Sequence, residues 1–160
     1  KKKHQERMCD VTELLLVFAA RAQHIESFIK PALERGCWVL CDRFTDSTVA
    51  YQGFGRGLPL ELIEQLKIIA QQGIQPHKTF LLDAPIDVGM SRARTRGPAD
   101  RFEEEQLDFF NRVREGFLSI AKSSPERVEM INAAQTLDNV QHDLETIIAS
   151  MLETSNAVGN

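Results

Sequence analysis

Side chains that suit a phosphate and a small polar ring are concentrated in one stretch of the chain. A short apolar run ends in Asp42 and Arg43, and Thr48, Tyr51 and Gln52 follow closely. A carboxylate can hold a divalent metal, an arginine can bind a phosphate through two N–H groups, and hydroxyl and amide groups can bind a ring. Ligands of α/β proteins bind where strands end. The stretch therefore predicts a binding site, although any one of these residues alone would favour a capped strand end with an ion pair.

A second cluster consists of arginines. Arg92, Arg94, Arg96 and Arg101 lie close together in a chain whose net charge is −4. Such a local excess of positive charge in an acidic protein indicates a specific anion rather than a nucleic-acid backbone. Residues 94–105 are nearly all charged and include Gly and Pro, which predicts a loop. An ordinary solvated connection is the alternative.

The composition is typical of one soluble globular domain. The 160 residues are 42% hydrophobic and 26% charged. No apolar run reaches the roughly 20 residues of a membrane helix, so we expect no membrane anchor. The net charge of −4 argues against general nucleic-acid binding. The cysteines are odd in number, and Cys37 and Cys41 would stand about 13 Å apart on a strand, too far to bridge. Reduced thiols predict a cytoplasmic protein.

Alternating helices and short apolar runs predict an α/β fold in which residues 1–160 form one domain around a parallel sheet. The predicted strands are residues 37–41, 79–83 and 128–132. The predicted helices are residues 10–25, 31–36, 61–72, 85–94, 107–120 and 136–151. Three strands are few for this number of helices, so we expect part of the sheet to be missing.

The arginines and the strand-end acid together suit phosphoryl transfer. This reaction needs positioning, a divalent metal and cations around the transferred group more than covalent help. An acceptor that is a phosphate monoester is mostly a dianion near neutral pH, because its second pKa is about 6, and it needs no general base. An arginine-bearing loop that closes over two anions would neutralise them and exclude water.

The stretch Asp42–Gly57 contains Asp-Arg-Phe, then Ala-Tyr-Gln-Gly and Gly-Arg-Gly, and closely resembles the signature of the bacterial thymidylate kinases. Residues Thr12–His24 are similar to the helix that borders the nucleoside pocket of that family. Arg92–Gly97 and Asp108–Phe110 resemble its arginine-bearing LID. The resemblance runs from about Asp10 to the closing helix. It implies a three-layer P-loop kinase fold, a homodimer, and transfer of the γ-phosphoryl group of ATP to dTMP with Mg²⁺.

The resemblance also implies roles for individual residues. On the acceptor side, the dTMP-binding residues would be Arg21 at the thymine ring, Arg43 at the phosphate, Thr48 at the pyrimidine N3, Tyr51 at the deoxyribose, and Ser47 and Gln52 nearby. On the donor side, Arg92 would lie against the adenine and Arg96 would be the catalytic LID arginine. Asp42 would hold Mg²⁺ or its water shell, and it joins Arg43 and Arg96 as a catalytic candidate.

The helix around Arg21 departs from the family pattern at one position. Many members have, four residues before this arginine, a Phe that stacks on thymine; here that position is Val17 and its neighbour is Phe18. One residue turns a helical side chain by about 100°. Either Phe18 stacks on thymine from another angle, or Val17 makes an apolar contact and Phe18 belongs to the core; we favour the second. For Arg21 itself, a solvated or ion-paired residue is the commoner explanation of a mid-helix arginine.

The larger departure is the phosphate loop. The sequence contains no G-x-x-x-x-G-K-[ST] motif and no Arg-Glu-Pro-Gly-Gly segment. In the family, the phosphate-loop strand lies between the strands that match residues 38–41 and 80–83. We therefore expect a P-loop kinase fold without the N-terminal phosphate-loop strand and the unit after it. On this interpretation the chain is the carboxyl-terminal part of a thymidylate kinase and does not turn over alone.

Two other functions remain open at this point. One is another nucleotide kinase of the same fold, against which Thr48, Tyr51 and Gln52 argue because they suit a pyrimidine deoxynucleotide. The other is a non-catalytic nucleotide-binding or assembly module, which the lack of a phosphate loop supports. The clustered arginines argue against such a module, because they have no use without a donor phosphate.

Overall fold

Helices form most of the two ranges that the structure, a computed structural model, describes, which are residues 8–94 and 103–158. In chain order the α-helices are α1 (Asp10–His24), α2 (Lys30–Glu34), α3 (Thr45–Thr48), α4 (Leu60–Gln71), α5 (Ile86–Arg94), α6 (Glu103–Ser123) and α7 (Leu137–Val158). Two segments are π-helical, Ile25–Ile29 and Val49–Gly55. In this part of the chain, no helix is both long enough and apolar enough to cross a membrane.

The sheet of the described residues is one parallel pair, β1 (Thr79–Asp83) and β2 (Val128–Asn132). The register pairs Thr79 with Val128 and Asp83 with Asn132. Both strands match the sequence prediction, because each is a short apolar run with turn residues near its ends. Asp83 and Asn132 therefore mark a common carboxyl edge, which is where a ligand of an α/β protein is expected.

The strand predicted at residues 37–41 is wrong for the described structure. This run is not a strand, and it pairs with neither β1 nor β2. A strand needs a neighbour for its backbone hydrogen bonds, and this apolar run has none in the ranges that the structure describes. Its side chains are exposed accordingly, Trp38 by 68% and Leu40 by 95%. Asp42 and Arg43 thus follow an unpaired segment instead of a sheet strand.

The core beside the predicted site lies between α1 and α4. Leu14 and Phe18 of α1 pack against Ile63 and Ala70 of α4. Leu14 and Phe18 are four residues apart and so share one face of the helix. Their burial sets the rotation of α1, and with it the direction of Arg21, which follows Phe18 by three residues.

The polar stretch after Arg43 folds into α3 and continues directly into the π-helical segment Val49–Gly55, here called the π segment. In a π-helix each N–H group bonds to the carbonyl five residues earlier, as from Arg56 to Tyr51 (2.9 Å). The π segment packs along α6, and Gly55 permits the approach, because a Cβ atom there would lie 2.6 Å from Cε2 of Phe109. The segment therefore holds Tyr51 beside α6.

The predicted arginine loop, residues 94–105, falls partly outside the structure's description. Helix α5 extends to Arg94, and α6 begins at Glu103 instead of the predicted Leu107. Residues 95–102, Arg96 among them, lie outside the described ranges. The extent of the LID therefore stays a prediction.

A buried ion pair connects α3 to the start of the sheet. Arg127 donates to both carboxylate oxygens of Asp46, at 2.6 and 2.9 Å, and to the hydroxyl of Thr79 at 2.9 Å. The side chains of Arg127 and Asp46 are only 18% and 21% exposed. Because α3 lies between Arg43 and the π segment, this pair fixes the predicted site to β1 and β2. No local pattern predicts this ion pair, since its partners lie 81 positions apart.

Asp46→Asn is expected to lower the free energy of unfolding by about 2 kcal/mol, because it leaves a mostly buried arginine without its counter-charge. Urea unfolding of Asp46→Asn, Arg127→Met and the double variant measures this. The double variant should lose clearly less than the sum of the two single losses. Glu64→Gln, in the exposed Lys67–Glu64 pair (3.0 Å), is the control and should change stability by less than about 0.5 kcal/mol. Strictly additive losses would show that Asp46 and Arg127 are not coupled.

Candidate nucleotide-binding site

An open cavity of about 310 Å³ lies between α1 and the segment that precedes α3. Its walls combine apolar residues with cationic and polar ones: Val17, Ala20, Arg21, His24, Cys41, Arg43 and Phe44. We call it the first cavity. Two predicted site residues that lie 22 positions apart in the sequence, Arg21 and Arg43, thus line one cavity, which makes it positively charged. Its volume is within the range of small-ligand sites, which begins at roughly 300 Å³.

Arg21 is held firmly but is incompletely paired. Its Nη2 atom donates to Oγ1 of Thr48 (2.9 Å) and to the carbonyl of Phe44 (3.4 Å). Its guanidinium lies 4.9 Å from the ring centre of Phe18 and 5.3 Å from that of Phe44. The Nη1 atom is buried and has no hydrogen-bond partner within the described residues. Buried donors are nearly always paired, so the unpaired Nη1 atom makes Arg21 a candidate for binding a ligand acceptor.

Burial also shifts the pKa values of two groups that line the first cavity, Arg21 and Cys41. Desolvation lowers the pKa of the Arg21 guanidinium, an effect that the nearby Cys41 opposes. Desolvation raises the pKa of the Cys41 thiol, although the charge of Arg21 acts in the opposite direction. A raised pKa keeps Cys41 protonated at neutral pH, so it is a wall residue and not a nucleophile.

Arg43 has an unusual backbone. Its φ is 62°, in the left-handed region that residues other than Gly and Asn rarely adopt. The thiol of Cys41 donates to its carbonyl at 3.5 Å. The Arg43 guanidinium rests 5.1 Å from the ring centre of Tyr51. A residue with a strained backbone that places a cation in the lining of a cavity is typical of a binding site. Asp42, the residue before it, is exposed.

The two alternatives for Val17 and Phe18 separate clearly. Val17 lines the first cavity, whereas Phe18 is 3% exposed and belongs to the core. Phe18 was a candidate for stacking on thymine. Its ring packs instead in the core between α1 and α4, and the Arg21 guanidinium lies over this ring. The reason is that position 18 shares its helical face with Leu14, which α4 covers.

The other predicted acceptor residues lie next to the first cavity without lining it. Thr48 is 2% exposed and accepts the hydrogen bond from Arg21. Gln52 is 7% exposed and donates to Oε1 of Glu13 at 2.7 Å. The backbone N–H of Ser47 closes a turn onto the carbonyl of Phe44 at 3.1 Å. Thr48 and Gln52 thus connect α3 and the π segment to α1.

A second cavity, of about 420 Å³, opens at the carboxyl edge of the two strands. Its lining residues come from both strand ends and from α6: Asp83, Pro85, Arg114, Met130, Ile131, Asn132 and Ala134. Arg114 binds both carboxylate oxygens of Asp83, at 2.7 and 2.8 Å, and these bonds raise the pKa of Arg114. Asp83 is therefore occupied by an ion pair. Arg114 was not predicted from the sequence, because it lies in an amphipathic helix and belongs to no motif.

The structure does not describe the side chains of the two predicted donor-side residues, Arg92 and Arg96. Arg92 lies on α5, but its side chain is outside what is described, and Arg96 lies outside the described ranges altogether. Among the residues that the structure describes, no three His, Cys, Asp or Glu side chains come together as metal ligands.

Comparisons with known proteins identify the family of this chain. A family model described as thymidylate kinase matches residues 2–144. The chain belongs to the thymidylate kinase family. Thymidylate kinase of Pseudomonas fluorescens is 53% identical over 149 residues, which make up 93% of this chain and 71% of that protein. The thymidylate kinase of Ectopseudomonas mendocina is 51% identical over 148 residues, 92% of this chain and 70% of the relative.

The thymidylate kinase fold is also found by structure. The crystal structure of thymidylate kinase from Ehrlichia chaffeensis superposes with a TM-score of 0.70 and 31% identity, and covers 91% of this chain and 67% of that one. The resemblance inferred from the sequence and the α/β P-loop kinase fold class are therefore confirmed.

Proposed function

We propose that this chain carries the dTMP-binding part of a thymidylate kinase, the enzyme that moves the γ-phosphoryl group of ATP to dTMP and forms dTDP. The observation that carries the proposal is the first cavity, which is lined by both Arg43 and Arg21, an arginine whose buried Nη1 atom has no partner among the described residues. Family membership supplies the reaction, and these two arginines supply binding sites for a base and for a phosphate.

The base would be selected by the orphaned donor. Nη1 of Arg21 can bond to the O4 carbonyl of thymine, while Thr48 and Phe44 hold the guanidinium in place. Cytosine carries an amino group at this position, and two donors facing each other would leave both unpaired in a buried site. This arrangement favours dTMP over dCMP. Val17 would add the apolar contact to the ring, in the place of a stacking Phe.

The phosphate would be bound by Arg43, whose guanidinium can form two charge-assisted hydrogen bonds to a phosphate. The left-handed backbone of Arg43 and the face of the Tyr51 ring orient this guanidinium in the absence of ligand. Tyr51, which is half-buried, would border the deoxyribose. Ser47, Thr48 and Gln52 would contribute indirectly, by holding the binding side chains in position.

The transfer itself needs little from the chain beyond binding and charge. The dTMP phosphate is mostly a dianion near neutral pH, so its oxygen attacks without a general base. Arg43 offsets the repulsion between this anion and the incoming γ-phosphate. Arg96 would bind the transferred group and Arg92 the adenine, so that charge builds up on the phosphoryl oxygens next to fixed cations.

Mg²⁺ would neutralise the phosphates of ATP when it is bound. This ion commonly keeps several waters and uses only one or two carboxylates together with substrate phosphates. An exposed carboxylate directly before the phosphate-binding Arg43 fits that pattern, and Asp42 is such a group. We therefore assign Asp42 to the ion or its water shell. Asp83 is excluded from this role by its ion pair with Arg114.

ATP would approach from the carboxyl edge of the sheet, with its adenine near the second cavity. That cavity is formed by the ends of β1 and β2, the position at which α/β proteins bind nucleotides. Its lining residue Pro85 directly precedes α5, the helix that carries Arg92.

A homodimer is a further part of the proposal, because α1 presents an apolar face that the described residues leave uncovered. Val11 is 45% exposed, Leu15 51% and Leu16 54%. Leu16→Glu is expected to convert the dimer to a monomer, which light scattering after size exclusion measures. Leu137→Glu, at a residue that is 79% exposed at the start of α7, is the control and should stay dimeric. A wild-type monomer at micromolar concentration would contradict this part of the proposal.

We also place the protein in the cytoplasm, because Cys9, Cys37 and Cys41 are unpaired thiols. Fractionation of the source cells checks this, and recovery outside the cytoplasm would contradict it.

The decisive experiment is a phosphoryl-transfer assay on the natural gene product that carries these residues. With ATP and Mg²⁺ it should phosphorylate dTMP, and dCMP or AMP much more slowly. Preference for another monophosphate would favour a different nucleotide kinase. Tight dTMP binding without any ATP binding would favour a non-catalytic nucleotide-binding module.

A further inference from the structure

The ring of Tyr51 lies between two phenylalanines of α6. Its centroid is 6.1 Å from that of Phe109 and 6.2 Å from that of Phe117, with interplanar angles of 67° and 79°. Both contacts are edge-to-face, the geometry that aromatic pairs favour. Phe109 and Phe117 are eight residues apart on one helix and thus lie on roughly the same side of it. Together they fix the plane of the Tyr51 ring from two directions.

The face of the same ring carries Arg43. Its guanidinium carbon is 5.1 Å from the Tyr51 centroid, a cation–π contact. The backbone of Arg43 is committed to a left-handed φ of 62°, so the side chain leaves the chain in a fixed direction. A tilt of the Tyr51 ring would therefore shift the guanidinium that is to meet the phosphate.

Helix α6 has little freedom to move relative to the π segment. Arg112 donates from Nε and Nη2 to the carbonyl of Gly55, at 3.3 and 3.1 Å. The ring of Phe109 packs so closely on Gly55 that a Cβ atom there would lie 2.6 Å from Cε2. Arg56 rests on the Phe109 ring, 4.9 Å from its centre. The ring of Phe109 is thus confined by contacts on several sides.

We propose that Phe109 and Phe117 are positioning residues that set the tilt of Tyr51 and, through it, the place of the Arg43 guanidinium. This inference rests on the proposed function for the identity of the ligand. It assigns to α6, which contributes nothing to the first cavity itself, control over how strongly the phosphate of the acceptor is bound. Neither phenylalanine touches the nucleotide in this scheme.

The test separates phosphate binding from base binding by comparing dTMP with thymidine, which lacks the phosphate. Calorimetry should show that Phe109→Leu and Phe117→Leu each lower the ratio of dTMP to thymidine affinity by about fivefold, because the deoxyribose contact of Tyr51 is common to both ligands and cancels in this ratio. Phe54→Leu is the matched control, because Phe54 packs on Gly116 of α6 at the same interface. It should lower the melting temperature to a similar extent but leave the ratio of dTMP to thymidine affinity unchanged.

A second readout does not depend on the ligand. Tyr51 is the single tyrosine of the chain, so fluorotyrosine labelling gives one ¹⁹F signal that reports its ring. This signal should shift in Phe109→Leu and Phe117→Leu and remain in place in Phe54→Leu. An unchanged dTMP-to-thymidine ratio in the first two variants would overturn the inference, whether or not the signal shifts. A wild-type protein that binds dTMP no tighter than dCMP would overturn the proposed substrate alone, because the phosphate comparison would still stand.

Discussion

Replacing Arg43 with alanine is expected to weaken dTMP binding by about 100-fold. The variant loses two charge-assisted hydrogen bonds to the phosphate, and a loss of about 2.8 kcal/mol corresponds to that factor. Thymidine should bind the variant as well as it binds the wild type, because it carries no phosphate. Calorimetric titration with both ligands measures the two affinities, and the assay on the natural gene product should show a loss of turnover at least as large.

Arg35→Ala is the matched control for this variant. Arg35 is also an exposed arginine, but it lies in the turn after α2, away from the first cavity. It should leave the affinity for dTMP within about twofold. Equal losses in the two variants would mean that the affinity for dTMP depends only on the net charge of the protein and that the assignment of Arg43 is wrong.

Arg21→Met is expected to weaken dTMP binding by about 30-fold and to remove most of the preference for dTMP over dCMP. Methionine keeps much of the apolar packing against Phe18 and Phe44 but has no donor for the O4 carbonyl, and a hydrogen bond from a charged group contributes about 2 kcal/mol. The preference, measured as the ratio of the two affinities, distinguishes loss of base recognition from general damage to the cavity. Stability should also fall, by about 1–2 kcal/mol, because the variant leaves the buried hydroxyl of Thr48 without the Arg21 donor.

Lys30→Met provides the comparison for Arg21→Met. Lys30 lies on α2 and forms a solvent-accessible pair with Glu26 at 2.7 Å. Its loss removes the same charge and substitutes the same side chain without touching the first cavity. A dTMP-over-dCMP preference that survives in Arg21→Met would show that the base is recognised elsewhere.

The strands β1 and β2 could be predicted to the residue because their evidence is local. Each is a short apolar run with turn residues near its ends, and that pattern leaves little room for a helix. The run at residues 37–41 has the same local pattern and yet is not a strand in the described structure. Whether an apolar run becomes a strand depends on whether another strand lies beside it. The local sequence around Trp38 and Leu40 therefore could not show that residues 37–41 are unpaired.

For a related reason, only part of the candidate site could be proposed from the sequence. Arg43, Tyr51 and Thr48 lie in one stretch whose residue types suggest a ligand, and the resemblance gave them roles. The choice between Val17 and Phe18 depended instead on which face of α1 is covered by α4, a long-range fact. The same is true of Glu13, Arg114 and Arg127. Each is an ordinary charged residue in sequence, and each has its function through a partner that only folding brings close.

The π segment makes the site depend on the number of residues as well as on their identity. A π-helical turn holds one residue more than an α-helical turn, so the removal of one codon between Val49 and Gly55 would restore a regular helix. The side chains inside the segment, Tyr51 and Gln52 among them, would then change their positions relative to α3 and α6. A library of point substitutions would never sample this change. A scan of single-residue deletions between Val49 and Gly55 would show how strictly the site depends on the length of this segment.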